Sequence, residues 1–319
     1  MGLYPKQAEL YKAIVGIPRG PKSRLLIVDA QHGSDSNSGL SFEHPLLTLA
    51  AAEDLCVDNH NDAVAIVGGP TQLNLAAALA WDKSYTHLIG LTGDLPGVGQ
   101  RARITSAATA AIVAMITLSG SGCIFKNLNL QNECSADADS GALVVSGMRN
   151  YFKNCFISGM LHATPAARAA AYSMTLSGPE NFFDDCAFGA QTINRASTNA
   201  EVIITGSNVK RNHWRRCQFL SQSVTAGKVL ARIVAGSIVW SQIFEDCSFL
   251  NWNSAAGETG AFINHAIEDG QTGFHQTFLR GLTTALGCTQ LVDVATFTWT
   301  HGAAVGGAVA PIALNNLTT

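Results

Sequence analysis

Charged side chains are scarce in this sequence. Only 13% of its 319 residues are Asp, Glu, Lys or Arg, about half of the roughly 25% usual in a globular domain. The net charge is −3, and the densest basic stretch is the short KRNHWRR at 210–216. A nucleic-acid partner needs a larger basic surface, so we expect none. Two explanations stay open for the scarcity: a solenoid with uncharged polar faces, or a large area buried between subunits.

Long apolar runs and targeting patterns are also missing. No run of about 18 apolar residues occurs, which predicts no membrane span. Residues 1–24, which we interpret as an N-terminal arm, lack the A-x-A pattern of a signal peptide. Within this arm Leu10, Ile14 and Val15 would share one face of a short amphipathic helix. We therefore expect a protein that is made in a cytoplasm and does not associate with a membrane.

The eight cysteines and nine histidines show no spacing typical of a metal site. No C-x-x-C or C-x-x-H pair occurs, and the expected cytoplasmic origin disfavours disulfides. Cysteine otherwise behaves as a small buried apolar side chain. We therefore predict no cofactor and no metal, and we assign no catalytic, cofactor-binding or metal-binding residue.

A repeat of about 30 residues runs from 104 to 290 and decides the fold. Its copies align on an aromatic anchor, and successive anchors are 27, 31, 31, 30 and 30 residues apart. The six copies are IFKNLNL (124–130), YFKNCFI (151–157), FFDDCAF (182–188), HWRRCQF (213–219), IFEDCSF (243–249) and GFHQTFL (273–279). Four of them carry a cysteine three residues after the anchor, namely Cys155, Cys186, Cys217 and Cys247. Because long helical periods are absent, each copy is interpreted as strand, turn, strand, corner and strand.

The corner is predicted from side-chain alternation. In a strand, residues i and i+3 face opposite sides, yet the anchor and the residue three positions later both look like core residues. The chain must therefore turn between them, and the cysteines should stack in the core. The corner residues are predicted to be Asn127, Asn154, Asp185, Arg216, Asp246 and Gln276. Asn and Asp tolerate the left-handed conformation that a tight corner needs.

This pattern resembles the right-handed parallel β-helix, the pectate-lyase-like superfold. The segment 27–55 is similar to the N-terminal segment of that family, with a G-S-D-S-N-x-G turn at 33–39, then Pro45 and a short capping helix. The helix would bury Leu46, Leu49, Ala50 and Leu55. The resemblance implies an all-β solenoid over 25–295, followed by a C-terminal tail at 296–319. It leaves function open, because the family includes lyases, hydrolases, adhesins and viral spikes.

The adjacent Asp184 and Asp185 raise the question of a polysaccharide-cleaving site. β-Helical polygalacturonases use adjacent aspartates, but with G-H-G and R-I-K motifs that are absent here. Asp184 instead falls in an outward column of mixed charge, which favours pairing between turns of the helix over a cluster of acids for calcium. The members of that column are Lys126, Lys153, Asp184, Arg215, Glu245 and His275. We interpret Asp184 as part of a surface ladder of charges and Asp185 as a corner residue.

Five other acidic residues and one aromatic residue remain candidates for a binding or catalytic site. β-Helical trimers can place acids in grooves between subunits, and by default the candidates are Glu201, Glu258, Glu268, Asp269 and Asp293. Trp252 could form a platform for a sugar ring, or it could be a packed loop residue.

The resemblance is greatest to bacteriophage β-helical virion proteins, and it favours a structural role without enzymatic activity. We predict a homotrimer that decorates or clasps a capsid, or forms a short fibre, with the major capsid protein among its partners. The low charge fits surface buried between subunits, and the expected location is the virion. The alternatives are a tailspike-like polysaccharide depolymerase, either a lyase or a glycoside hydrolase, and a carbohydrate-binding adhesin. A surface polysaccharide is the partner in both.

The predicted corner can be tested at Asp185. Replacing Asp185 by Asn should leave the stability nearly unchanged, because Asn tolerates the left-handed conformation. Replacing it by Val should lower the free energy of unfolding by about 1–2 kcal/mol, because a β-branched side chain resists that conformation. Chemical denaturation measures both variants, and equal stability would show that the corner is misplaced.

Overall fold

The chain folds into a right-handed parallel β-helix, as the resemblance implies. Its strands lie in three parallel sheets, A, B and C, and neighbouring strands in a sheet come from successive turns of the chain. In the computed structural model the described residues are 14, 16–92, 102–108, 111–135, 139–223, 228–234 and 241–251, with strands at 260–265, 271–275, 277–280, 291–294 and 297–299.

The described strands are numbered in chain order, and each sheet is given in spatial order. Sheet A contains β1 (Leu25–Val28), β2 (Asp62–Val67), β5 (Thr86–Leu91), β8 (Ile124–Lys126), β11 (Tyr151–Lys153), β14 (Phe182–Asp184), β17 (Asn212–Arg215), β20 (Ser241–Glu245), β23 (Gln271–His275) and β25 (Leu291–Val294). Sheet B contains β3 (Leu73–Leu75), β6 (Arg103–Ser106), β9 (Asn129–Gln131), β12 (Phe156–Ser158), β15 (Ala187–Arg195), β18 (Gln218–Ser223), β21 (Ser248–Asn251), β24 (Thr277–Arg280) and β26 (Phe297–Trp299). Sheet C contains β4 (Leu79–Trp81), β7 (Ala114–Leu118), β10 (Gly141–Val145), β13 (Met174–Leu176), β16 (Ala200–Ile204), β19 (Lys228–Ile233) and β22 (Gly260–His265).

The predicted corner lies between sheets A and B and is left-handed in every described copy. Its φ angles fall between 51° and 58° at Asn127, Asn154, Asp185, Arg216 and Asp246. Gln276, the sixth predicted corner residue, lies outside the described residues. Asn154 Nδ2 also donates to Asn127 Oδ1 at 2.9 Å, so the side chains of two successive corners are linked. The corner prediction is confirmed.

The core consists of residues stacked in register along the helix axis. The anchors Phe152, Phe183 and Trp214 are fully buried, and their ring centroids are 4.7 and 4.2 Å apart. After the corner, a second stack contains Phe188, Phe219 and Phe249, with centroid distances of 5.2 and 4.3 Å. The predicted cysteine stack is confirmed as buried free thiols at Cys155, Cys186, Cys217 and Cys247.

A second ladder, which the repeat alignment missed, lies at the corner between sheets C and A. Asn150 and Asn181 each donate a backbone N–H to the side-chain oxygen of the asparagine in the next turn, at 3.0 and 2.7 Å. The acceptors are Asn181 and Asn212. Each of the three asparagines follows a left-handed residue, namely Arg149, Glu180 and Arg211. The signal was present in the sequence, because the three asparagines are 31 residues apart.

The N-terminal segment forms the predicted turn and helix. Asp35 accepts hydrogen bonds from the backbone of Leu47 and Thr48, both at 2.9 Å, and helix α1 (Leu49–Leu55) follows. The predicted buried face is partly wrong. Leu46 and Leu49 are buried, but Ala50 and Leu55 are exposed, and Ala52 and Cys56 take their place in the core. The register differs because α1 begins at Leu49, with Thr48 as its N-cap.

The connections from sheet B to sheet C are irregular. The longest described connection runs over 159–173, contains the single turn of helix α2 (Ala163–Ala166), and packs Met160, Ala166 and Ala171 against Ile193 of β15. The next connection covers only residues 196–199. Unequal lengths at this corner explain why the repeat alignment does not extend to it.

At the other end of the described chain, β26 pairs with β24 beyond residue 295, so strand structure continues into the segment predicted as a tail.

The asparagine ladder should contribute measurably to stability. In Asn181→Ala the buried N–H of Asn150 and the carbonyl of Gly147 lose the Asn181 side chain as their partner, and the carbonyl of Gly178 keeps only its hydrogen bond from Asn212. The expected cost is about 2–3 kcal/mol. Asn208 is exposed in the neighbouring turn, so Asn208→Ala should change the free energy of unfolding by less than about 0.5 kcal/mol. Urea denaturation measures both variants, and similar losses for the two would contradict a role for the ladder.

Candidate functional site

The outer face of sheet A carries two columns of side chains in register. Because the anchors point inward, the residues on either side of each anchor point outward. The residues before the anchors form what we call the aromatic column: Ile124, Tyr151, Phe182, His213 and Ile243. The residues after the anchors form the charged column: Lys126, Lys153, Asp184, Arg215 and Glu245. The strand register thus confirms the predicted column of mixed charge, and pairs Glu245 with His275 in the next strand.

The aromatic column presents partly exposed rings on successive turns. The ring centroids of Tyr151 and Phe182 are 5.7 Å apart, and those of Phe182 and His213 are 4.7 Å apart. All three side chains are half-buried, and Ile243, which continues the column, is 42% exposed. The guanidinium of Arg215 lies 5.1 Å from the Phe182 centroid, within the range of a cation–π contact.

Asp184 is the centre of the charged column, and its carboxylate is saturated with donors. Tyr151 Oη, Lys153 Nζ and Arg215 Nη2 donate to Oδ2 at 3.0, 2.9 and 3.0 Å. Arg215 Nε and Arg216 Nη2 donate to Oδ1 at 3.0 and 2.6 Å. The side chain of Asp184 is only 2% exposed, whereas its cationic partners are partly exposed. Five hydrogen bonds leave the carboxylate little capacity for further partners.

The same contacts determine the protonation of the site. Burial alone would raise the pKa of Asp184, but hydrogen bonds from Arg215, Lys153 and Tyr151 hold it well below the ordinary range. Burial and the charge of Asp184 raise the pKa of Tyr151 to about 12. Near neutral pH, Asp184 is therefore a weakly basic carboxylate and Tyr151 a neutral phenol. Neither has a pKa suited to general acid–base catalysis at that pH.

Two rows of ion pairs border the aromatic column. On one side Asp185 accepts from Arg216 Nε at 2.6 Å and also pairs with Lys153. The Arg216 hydrogen bond lowers the pKa of Asp185. On the other side Glu180 pairs with Arg149 at 2.7 Å and with Arg211. Apart from Lys153, which lies in β11, the residues of both rows occupy left-handed corner positions. The corners that turn the chain therefore also place these charges at the edges of the sheet.

The structure removes Glu201 from the five candidates for an intersubunit groove. Glu201 is fully buried and pairs with Arg195 Nε at 2.8 Å and Lys228 Nζ at 3.0 Å. It lies beneath the 159–173 connection, which the repeat alignment did not locate. The candidates Glu258, Glu268, Asp269 and Trp252 lie outside the described residues, as does the side chain of Asp293 in β25.

Two absences hold for the part of the chain that the structure describes. No group of three or more His, Cys, Asp or Glu side chains there has an arrangement that could hold a metal ion. No helix there is long and apolar enough to cross a membrane.

Comparison with known proteins identifies the fold. No protein-family model matches this chain, and no curated protein does. Among solved structures, deglycosylated pectin methylesterase from Aspergillus niger matches with a TM-score of 0.55 and 16% identity, over 88% of this chain and 85% of that chain. Carrot pectin methylesterase matches with a TM-score of 0.51 and 12% identity, over 89% and 91%. A pectin methylesterase in complex with hexasaccharide VII matches with a TM-score of 0.53 and 16% identity, over 80% and 78%. At identities this low, the similarity shows the fold alone, which is the right-handed parallel β-helix.

The pairing of Asp184 predicts a pH-dependent contribution to stability. A carboxylate whose pKa is lowered by folding stabilises the protein above its unfolded pKa of about 4. That stabilisation is lost as the pH falls through the folded pKa. At pH 7, Asp184→Asn should therefore lower the free energy of unfolding by about 2 kcal/mol, less than for a fully buried pair because the partners are partly exposed.

Urea denaturation of the wild type and Asp184→Asn between pH 7 and pH 3 measures this contribution. The difference between the two proteins should shrink below about pH 4. Asp54→Asn, at an exposed carboxylate of α1, is the matched control and should change stability by less than about 0.5 kcal/mol. A difference for Asp184→Asn that stays constant over this pH range would contradict the assignment.

Proposed function

We propose that this β-helix binds an oligosaccharide chain along the outer face of sheet A. One observation carries the proposal: Tyr151, Phe182 and His213 align on successive turns, partly exposed, between two rows of ionised side chains. Exposed aromatic residues within a polar rim are typical of a binding surface.

The chemistry of the two columns suits a sugar chain. The C–H faces of pyranose rings pack on aromatic and aliphatic side chains, and successive strands repeat such a contact about every 4.8 Å. Sugar hydroxyls need donors and acceptors beside those contacts. Arg215 and Arg216 are 37% and 43% exposed, so their guanidinium groups are available at one edge, and Glu180 and Arg211 lie at the other.

Binding without acid–base cleavage fits Asp184 better than hydrolysis does. A catalytic acid must carry a proton at the working pH, and a catalytic base needs an accessible lone pair. Asp184 has five donors and a lowered pKa, which disfavours both roles. The proposal therefore takes the carbohydrate-binding alternative and gives Asp184 the role of holding Lys153, Arg215 and Arg216 in place.

Structures of the same fold support a carbohydrate ligand. Two of the matching pectin methylesterases are bound to hexasaccharides, so the fold accommodates sugar chains of that length in those proteins. The virion location, the homotrimer and the capsid partner stay predictions, because they rest only on composition and on the resemblance to bacteriophage virion proteins. Detection of this chain in washed virions would test that location independently of sugar binding.

The proposal predicts that the purified protein binds a polysaccharide through Phe182. Screening immobilised neutral and acidic oligosaccharides, followed by titration calorimetry on the best binder, measures the affinity. Phe182→Ala should weaken binding at least about tenfold, equivalent to about 1.4 kcal/mol, because it removes the central ring of the aromatic column.

Phe156→Ala is the matched control. Phe156 is a half-buried phenylalanine that points outward from sheet B, so its removal should leave the affinity unchanged. Absence of binding to every oligosaccharide tested, or an equal loss in both variants, would contradict the proposal. Release of shortened chains by the wild type that persists in Asp184→Ala would show a catalytic site elsewhere.

A further inference from the structure

A lysine, an asparagine and a glutamate meet in the interior where sheet B passes into sheet C. Lys228 Nζ lies 2.8 Å from Asn199 Oδ1 and 3.0 Å from Glu201 Oε1. Lys228 is 1% exposed, and Asn199 and Glu201 are fully buried. A buried amine that contacts both a carboxamide and a carboxylate provides the three groups that an amide-exchange reaction requires.

The strand register places these groups on consecutive turns of the helix. Asn199 directly precedes β16, and Lys228 is the first residue of β19. The two strands pair with Ala200 opposite Val229, and Val229 N donates to Asn199 O at 3.2 Å. Lys228 and Asn199 are therefore neighbours across a parallel ladder, and a bond between their side chains would join two turns.

We propose that Lys228 and Asn199 form an isopeptide bond, with Glu201 relaying the proton. Glu201 first accepts a proton from the Lys228 ammonium, and the neutral amine attacks Cγ of Asn199. The new bond joins Nζ to Cγ, and the bond between Cγ and Nδ2 breaks. Nζ gives up a second proton as the bond to Nδ2 breaks, and Glu201 passes both protons to Nδ2. Nδ2, which already carries two protons, leaves as ammonium, and Glu201 returns to its carboxylate form. Nothing is oxidised or reduced, and one ammonia is lost.

The surroundings hold Asn199 in the orientation for attack. Asn199 Nδ2 donates to the carbonyls of Ala166 and Arg168 at 2.8 and 3.1 Å, both in the connection that contains α2. These two bonds turn Oδ1 toward Lys228. The effective concentrations of well-oriented intramolecular groups reach about 10⁵ M or more, and burial keeps out the water that would otherwise hydrolyse the amide.

The environment of the cluster favours one of the two proton-transfer groups and disfavours the other. Burial lowers the pKa of Lys228 to about 8 against the opposing charge of Glu201, which favours the neutral amine. Burial would raise the pKa of Glu201, but Arg195 and Lys228 lower it to about 2, which makes Glu201 a weak base. Arg195 Nε donates at 2.8 Å to Glu201 Oε1, the oxygen that Lys228 also contacts. The reaction is therefore expected to be slow, completed after folding, and irreversible once ammonia leaves.

The intact mass of the folded, then denatured, wild-type protein tests the proposal directly. It should be lower than the mass of the sequence by one ammonia. Trypsin should no longer cleave after Lys228, and a branched peptide should join residues 196–210 to residues 217–232. An intact mass equal to that of the sequence, or an unbranched peptide 217–228, overturns the proposal even if ammonia is lost elsewhere.

Two variants separate the nucleophile from the proton relay. Lys228→Arg keeps the positive charge and should show the unmodified mass. Glu201→Gln keeps the shape and should form the branched peptide at least about tenfold more slowly during refolding. A branched peptide formed at the wild-type rate in Glu201→Gln overturns the relay. If either variant fails to fold, the wild-type mass alone decides.

Discussion

The structure depends on one backbone constraint: each turn must change direction between two side chains that both face the core. A left-handed residue meets this requirement at the end of sheet A, where φ lies between 51° and 58° in successive turns. Asn and Asp adopt this conformation at low cost, and they occupy all but one of the five described corners. Because the corner recurs about every 30 residues, phenylalanines stack on phenylalanines and cysteines on cysteines. The interior is thus built from columns in register.

The register that builds the core also arranges the outer face of sheet A. Outward residues align as strictly as inward ones, so one aromatic or apolar side chain and one ionisable side chain appear on every turn from β8 to β20. Mixed charge along a column lets Asp184 collect donors from the turns on both sides. The carboxylate of Asp184 is fully engaged in binding cationic side chains, and the partly exposed aromatic column lies beside it. This arrangement favours recognition of a ligand over chemistry on it.

The repeat contained the information that places the corner, the cysteine stack and the charged column, because all three depend on spacing alone. The Asn150–Asn181 ladder was equally visible in spacing, but the alignment began one residue too late to include it. The buried contact of Lys228 with Glu201 was not predictable in this way. Glu201 lies in β16 and Lys228 in β19, but the connections that precede these strands differ in length. The spacing of the repeat therefore does not relate the two residues, and a glutamate in a strand gives no sequence signal that it is buried. Burial there depends on the 159–173 connection, whose path the sequence pattern does not specify.

Carbene footprinting of the protein with and without a bound oligosaccharide tests the central claim, that the register of sheet A creates a continuous binding face. The account predicts that labelling falls at Tyr151, Phe182 and Ile243, which occupy the aromatic column, and at the neighbouring arginines. Labelling of the outward residues of sheets B and C should stay unchanged. Protection confined to sheet B, sheet C or the connections between them, with none on sheet A, would contradict the account.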